Sequence, residues 1–456
     1  MRKPALSFLA FLTSINVFAQ DDSLMIRRIA DEIFLHSKAY DNLRDLTKNI
    51  GGRLTASPQF YKAEQWGLRV LQQNGADKTW LQECMVPHWV RGGKDEARAK
   101  VKGNISQEKI LDVLALGNSL GTGPKGISAN VIEVKSFDDL NAKEDSVKGK
   151  IVFYNYKFNP RFVGVFQAYG DAVKYRSDGA SQAAKYGAGA VIVRSMSEST
   201  DNNPHTGSLR YDTTLPKIPA VAIGLKDADW LSATLSHQRV DVYMKTGGKF
   251  SPDTIGHNVI GELTGSEFPD QYITVGGHLD SWDPAEGAND DGAGIVQTIE
   301  VLRALRATGY RPRHTIRFVL FANEENGLRG GAKYGAEAKA KNEKHVFALE
   351  SDGGGFTPRT FTFGGTAEQL GKVKSWIPLL YPYGVYDITP GGGGADISSL
   401  YRELQTAVAE LAPDSQRYFD YHHARNDVFE NVNKRELELG TVNMAALIYL
   451  VDKYGL

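Results

Sequence analysis

The sequence predicts an α/β protein whose second half holds a parallel sheet covered on both faces, with a separate β-rich unit inserted ahead of it. Three observations carry this. After Asn258, apolar runs at 272–275, 315–321 and 346–349 have the length and composition of buried strands. Between the first two, residues 294–308 carry Ile295, Ile299, Leu302 and Leu305 on one helical face. Strand, helix and strand at that spacing form a parallel unit buried on both sides. Between about 112 and 250 the texture is different, with short β-rich runs separated by glycine-rich turns.

Taken in order, the chain begins with Arg2 and Lys3, then an apolar stretch at 6–12. Val17 and Ala19 follow as small residues where a signal peptidase reads them. A signal peptide over 1–19 is expected, and with it a secreted or periplasmic protein. The apolar stretch is short for a membrane span of ~20 residues, so no span is expected after cleavage. From 22 to about 75, Ile26, Ile29, Ile33, Ala63, Trp66 and Val70 recur at helical spacing. Within the inserted unit, 151–154, 191–193 and 221–223 read as strands, and 181–186 as a short helix stopped by Gly187. The expected division is 20–111 for the first part of the main domain, 112–250 for the insert, and 251–456 for the part that carries the site.

The composition is that of an ordinary globular protein, 41% hydrophobic and 23% charged over 456 residues. Lys and Arg total 53 against 54 Asp and Glu, so the charge gives no case for nucleic acid or an anionic membrane as partner. Cys84 is the only cysteine; it can form no internal disulfide and reads as a small buried hydrophobe.

Chemistry concentrates at the ends of the predicted strands of the second half. His278 and Asp280 follow the first, Asn289, Asp290 and Asp291 open the helix, Glu324 and Glu325 follow the second strand, and Asp352 the third. His422 and His423 come far downstream. Strand ends of an α/β sheet are where such folds build sites. Two imidazoles and three carboxylates suit a pair of zinc ions. Paired cations need a bridging carboxylate to offset their repulsion. Asp290 can bridge, with His278 and Asp352 on one ion and Glu325 and a late histidine on the other. Asp280 is placed to accept the second ring N–H of His278. Glu324 is left free to take a proton from a metal-bound water.

The successive segments GGHLDSWD, GANDDGAG, FANEENG, ESDGG and HHARND resemble the metal-site motifs of the M28 family of di-zinc peptidases, in particular its carboxypeptidase Q-like branch. The resemblance implies the zinc exopeptidase fold, α/β with a mixed, mostly parallel central sheet and helices on both faces. It implies two zinc ions held by His278, Asp290, Glu325, Asp352 and His423, with Glu324 as general base and Asp280 orienting His278. His423 is selected over His422 because the family's late ligand stands four residues before an aspartate, here Asp427. VKGKIVFYN, KYGAGAVIV and KIPAVAIG resemble a protease-associated (PA) domain, which makes the insert PA-like. The family also suggests a homodimer.

The expected protein is a secreted di-zinc metallo-exopeptidase acting on dipeptides or short peptides. Three alternatives stay open: an aminopeptidase acting on longer peptides, a mono-zinc glutaminyl cyclase-like enzyme, and a catalytically silent binding protein. The full donor set argues against the last two. The glycines at 391–394 lack the Lys-Ser/Thr of a phosphate loop, and Asp396 beyond them is either a contact for a substrate amine or a helix cap. Ser281 has no nucleophile elbow around it. Asn104, Ile105 and Ser106 form a glycosylation sequon.

Overall fold

Two eight-stranded mixed sheets organise the chain. The computed structural model describes residues 5–102 and 107–456; Arg2, Lys3 and the sequon at Asn104 lie outside them. In the central sheet, His314–Phe321, Phe268–His278, Lys344–Glu350 and Ala407–Pro413 are adjacent and parallel. Lys249–Leu263 and Lys78–Val90 extend one side antiparallel, and Pro358–Gly364 and Asp387–Pro390 extend the other.

The parallel strands carry apolar side chains on both faces because both faces are covered. On His314–Phe321, Ile316, Phe318 and Leu320 enter the core cluster formed with Ile295, Ile299 and Leu302 of helix Ala293–Ala307. Val319 and Phe321 point to the opposite face, against Tyr334, Ala338 and Leu400. The period of two in the strand thus feeds two helical layers. Ile26, Ile29 and Ile33 of helix Ala5–His36 join the first cluster with the long helix Lys434–Tyr454. The expected cleavage point at Ala19 falls inside helix Ala5–His36. Among the described residues no helix is long and apolar enough to cross a membrane.

The second sheet begins earlier than residue 112. Glu96–Lys102 and Gln107–Leu111 pair with each other, and Glu96–Lys102 pairs with Arg239–Lys245. Glu96–Lys102 buries Ala97, Ala99 and Val101 and exposes charges between them. Alanine is a poor strand former, which left that alternation a weak signal. The middle strands Ile127–Val134, Ile151–Tyr154, Ala190–Arg194 and Ala220–Ile223 are parallel. Parallel neighbours need crossovers, so the unit also contains helices, among them Phe137–Ala142, Val165–Ala172 and Leu225–Leu235. The predicted short helix runs over Gly179–Ala184.

Two features join the units. Lys78–Val90 and Lys249–Leu263, which lead into and out of the second unit, pair with each other along their length from Lys78↔Glu262 to Val90↔Lys249. Phe356, Tyr418 and Phe419 leave the central-sheet unit and enter the apolar core of the second, among Leu116, Tyr154 and Tyr175.

Candidate metal centre

Parallel register brings the chemical residues to one edge. His278 is the last residue of its strand and is level with Phe321, while Gly276 is level with Glu350. The segments that carry Glu324, Glu325 and Asp352 therefore leave the sheet beside His278. Gly277 keeps the approach open, because a Cβ there would strike the Asp291 carboxylate. That carboxylate instead accepts the His278 backbone N–H at 3.0 Å and the Gly294 N–H at 3.0 Å, fastening the strand end to the start of the helix.

His278 is fully buried. Its Nδ1 lies 3.0 Å from the backbone carbonyl of Asp280 and 3.9 Å from the Asp280 carboxylate. The ring is thus oriented by the Asp280 carbonyl, a correction to the expected role of its side chain. The Asp280 carboxylate accepts from Thr55 Oγ1 at 2.9 Å and from the backbone N–H groups of Glu324 and Glu325 at 3.0 and 3.4 Å. It positions the Glu-Glu turn.

With Nδ1–H directed at a carbonyl, Nε2 of His278 is the available lone pair. It lies 3.1 Å from Asp290 Oδ1 and 3.3 Å from Asp352 Oδ1. The other oxygen of Asp290 lies 3.3 Å from His423 Nε2, and Glu325 Oε2 lies 3.1 Å from that same nitrogen. Asp290 therefore stands between two imidazoles. His422 stacks on His423 with centroids 3.5 Å apart, and its Nε2 is 3.9 Å from Asp290. Of the two, His423 makes the closer approach.

Neighbouring groups hold these side chains. Asp427 accepts N–H groups from Asn289 and Asp290 at 2.8 and 3.1 Å, plus the Asn289 side chain at 3.1 Å. The Asp290–Asp291 peptide is cis. Trp282 N–H donates to Glu325 Oε1 at 3.1 Å. The buried Arg53 donates to the carbonyls of Leu279, Glu286 and Gly287, tying together the loops on either side of Asp280. His423 has φ 60°, a left-handed conformation rare for a side chain of that size, and its carbonyl accepts the Thr206 N–H of the second unit at 2.9 Å. Thr55, Arg53 and Asp427 left no chemical signature in the sequence beyond the spacing that singled out Asp427.

The donor chemistry fits divalent cations. Two groups of potential ligands, His278 with Asp290 and Asp352, and Asp290 with His422 and His423, each place their atoms within 4.8 Å of one another. Asp290 Oδ2 and Asp352 Oδ1 are buried, and the imidazole nitrogen 3.3 Å from each lies outside hydrogen-bond geometry. Buried carboxylate oxygens in that state call for a cation. Burial and the neighbouring Asp290 push the Glu325 carboxyl well above the usual carboxylate range. Burial, helped by Asp352, Asp290 and Asp280 and opposed by His278, lifts Glu324 to about 8. Glu324 itself is half-buried and lines a cavity of about 430 Å³ with Asp290, Glu325, Asp352 and His423.

Asp396 is not among the residues lining that cavity. It is 1% exposed, neither carboxylate oxygen has a partner, and the helix Ser398–Leu404 has no side-chain cap. The cap expected of Asp396 is not made, since its carboxylate bonds to no backbone N–H. Glu350 accepts the Ile397 N–H at 2.9 Å and so anchors the loop instead.

The sequence profile of Peptidase family M28 matches residues 258–448. Carboxypeptidase Q of Homo sapiens is 34% identical over 416 residues, covering 91% of this chain and 85% of that protein. A crystal structure of a Peptidase M28 precursor from Shewanella amazonensis SB2B superposes with a TM-score of 0.89 at 33% identity, covering 95% of this chain and 97% of that one. A zinc aminopeptidase from Bacillus subtilis shares the fold with a TM-score of 0.64 at 20% identity, covering 91% and 94% of the two chains.

Proposed function

Since this chain belongs to peptidase family M28 and is a metallopeptidase, we propose that it is an exported exopeptidase that holds two zinc ions and hydrolyses dipeptides or short peptides. Asp290, standing between His278 and His423 with an oxygen toward each, carries this reading. His278 and Asp352 would complete one site with it, and Glu325 and His423 the other. Zinc bound there supplies Lewis-acid polarisation of a carbonyl and a lowered pKa for water.

The chain's own groups do the rest. Glu324, adjacent to Glu325 and facing the cavity, takes the proton of the attacking water and returns it to the leaving amine. Asp280 fixes the turn from which Glu324 projects by accepting its backbone N–H at 3.0 Å. The second unit supports a PA-like assignment through its three sequence segments, and it closes the far side of the cavity with Asn118, Tyr169, Arg176 and Ser208. The basic, apolar and small-residue order of the first nineteen residues supports export.

Elemental analysis of the purified chain is expected to give two zinc ions per molecule. One ion per chain would favour the cyclase-like alternative. Glu324→Gln is expected to keep both ions and lower dipeptide turnover by about 10²–10⁴-fold. Near-normal turnover in that variant would remove Glu324 from the role of base.

A further inference from the structure

On the reading of the cavity as a peptide-hydrolysing site, we propose that Glu410 binds the cationic side chain of a lysine or arginine on the amino side of the scissile bond, so that the enzyme selects peptides with a basic residue there. Glu410 lies on strand Ala407–Pro413, is partly buried, and lines the cavity with Asp352 and Glu324. Among the described residues its carboxylate meets no cation and accepts no hydrogen bond, while burial and then Asp352 both push it above the usual carboxylate range. A largely desolvated carboxylate is normally paired. Asp290, Glu325 and Asp352 are committed to metal and Glu324 to the proton of the attacking water. Glu410 is the acidic residue of that lining left without a counter-charge.

Sheet register places the group. Glu410 is level with Glu350 on the neighbouring parallel strand, and Asp352 follows two residues after Glu350. Glu410 therefore stands one strand spacing, ~4.8 Å, beyond the strand that delivers Asp352, on the side away from His278. On its other side it is level with Thr362, whose hydroxyl donates to the Gly392 carbonyl at 2.7 Å. The glycines at 391–394 thus run beside Glu410, and four residues without side chains leave its flank open. Gly394 has no alternative, because a Cβ there would strike the Glu350 carboxylate. Leu328 leads into helix Arg329–Ala340, which packs on the sheet face that Val408 and Glu410 share. Leu328 lines the cavity with 43% of its surface exposed, an apolar wall for the alkyl stem of a basic side chain.

Distance separates a side chain from the α-amino group. The α-nitrogen lies two bonds, ~2.5 Å, from the scissile carbon and so stays over the metal-holding carboxylates. The stem of a lysine or arginine crosses the further strand spacing. Sign fixes the direction of the peptide. The opposite flank of the cavity holds Arg176, 3.4 Å from His423, whereas Glu410 and Asp352 repel a carboxylate. A dipeptide's carboxyl end is therefore kept off the Glu410 flank, and the residue there is the one that supplies the acyl group.

The test compares Lys-Ala with norleucyl-Ala, which keeps the alkyl stem and lacks the charge, on zinc-loaded wild type and Glu410→Gln, with zinc counted in each. Wild type should cleave Lys-Ala with a kcat/KM about ten- to a hundredfold above that for norleucyl-Ala, the range of a charge-assisted hydrogen bond. Glu410→Gln should bring that ratio close to unity. Equal cleavage of both dipeptides by wild type, or a preference that survives Glu410→Gln, would overturn the assignment. So would an equal loss on both in the variant, which would give Glu410 to the α-amino group. Calorimetry of free lysine and norleucine against the zinc-loaded Glu324→Gln chain separates this from failure of the peptidase reading. Tighter binding of lysine that a second substitution, Glu410→Gln, abolishes, without any turnover in wild type, would sink the peptidase reading and leave the cation site standing. Lysine and norleucine bound equally, with turnover intact in wild type, would sink the cation site alone.

Discussion

Asp427 does not line the cavity, and its carboxylate is taken up by N–H groups of the Asn289–Asp290 turn. Removing it leaves buried backbone donors without acceptors and frees the turn that aims Asp290. Asp427→Ala is therefore expected to weaken metal binding about 10–100-fold, the usual effect of losing such a supporting contact, measured by competition with a chromogenic chelator. Unchanged affinity would mean that the turn holds its shape without it. The residues around the cavity differ in how far the sequence announced them. His278, Asp290, Glu325 and Asp352 stand at predicted strand and helix ends with side chains too polar for a core, and it was their occurrence as a set that marked them, while His423 was separated from His422 by the family pattern. Asp280 was visible as a nearby carboxylate, but whether a carbonyl or a carboxylate meets the ring depends on the backbone path beyond the strand. Arg176 sits in a helix of four residues within an unremarked segment, and only the folding of the insert over the sheet edge brings it to His423.

Among the elements, strand His314–Phe321 shows how a charge can lie in a buried sheet. Arg317 donates to Glu262 at 2.8 Å and to both oxygens of Glu343 at 2.7 and 3.1 Å, and its guanidinium lies 3.7 Å from the Tyr272 ring centroid. Burial works to raise the Glu343 carboxyl, but hydrogen bonds from His345 and Arg317 outweigh it and hold the group down to about 2 from the usual 4.5. A depressed carboxyl stabilises the fold above its unfolded value, and that contribution is lost as the pH falls through the folded one. Glu343→Gln is expected to cost on the order of 2 kcal/mol near neutral pH, with the gap to wild type narrowing between pH 4.5 and 2 in urea titrations. A gap independent of pH would assign the loss to packing. Strands of this kind were legible because both faces are apolar over several residues. Glu96–Lys102, with alanines inside and charges outside, was not, and neither was the parallel pairing in the second unit, which depends on partners far along the chain.

For the molecule as a whole, the second unit is not an independent body beside the first. Phe419 is 3% exposed in the core of the insert, stacks on Tyr169 at 4.7 Å, and lies four residues before His423 in the chain. Phe419→Ala is expected to cost about 3–5 kcal/mol in denaturant unfolding. It should lower zinc retention as well, because the rings anchor the loop that presents His423. Loss of stability with full retention of zinc would show that the loop is held by Thr206 and Asp427 instead. That dependence was hidden from the sequence, where YFDYHH reads as an aromatic run with no indication of which core receives it. It also sets a timetable. The insert's core begins near Leu116 and is completed by Phe356, Tyr418 and Phe419. At ~5–20 residues per second, the ribosome delivers the last of these rings some 15–60 seconds after the first strands. Until then one of the insert's two apolar cores lacks three of its rings, while the other, from Ala97 to Met244, is already whole.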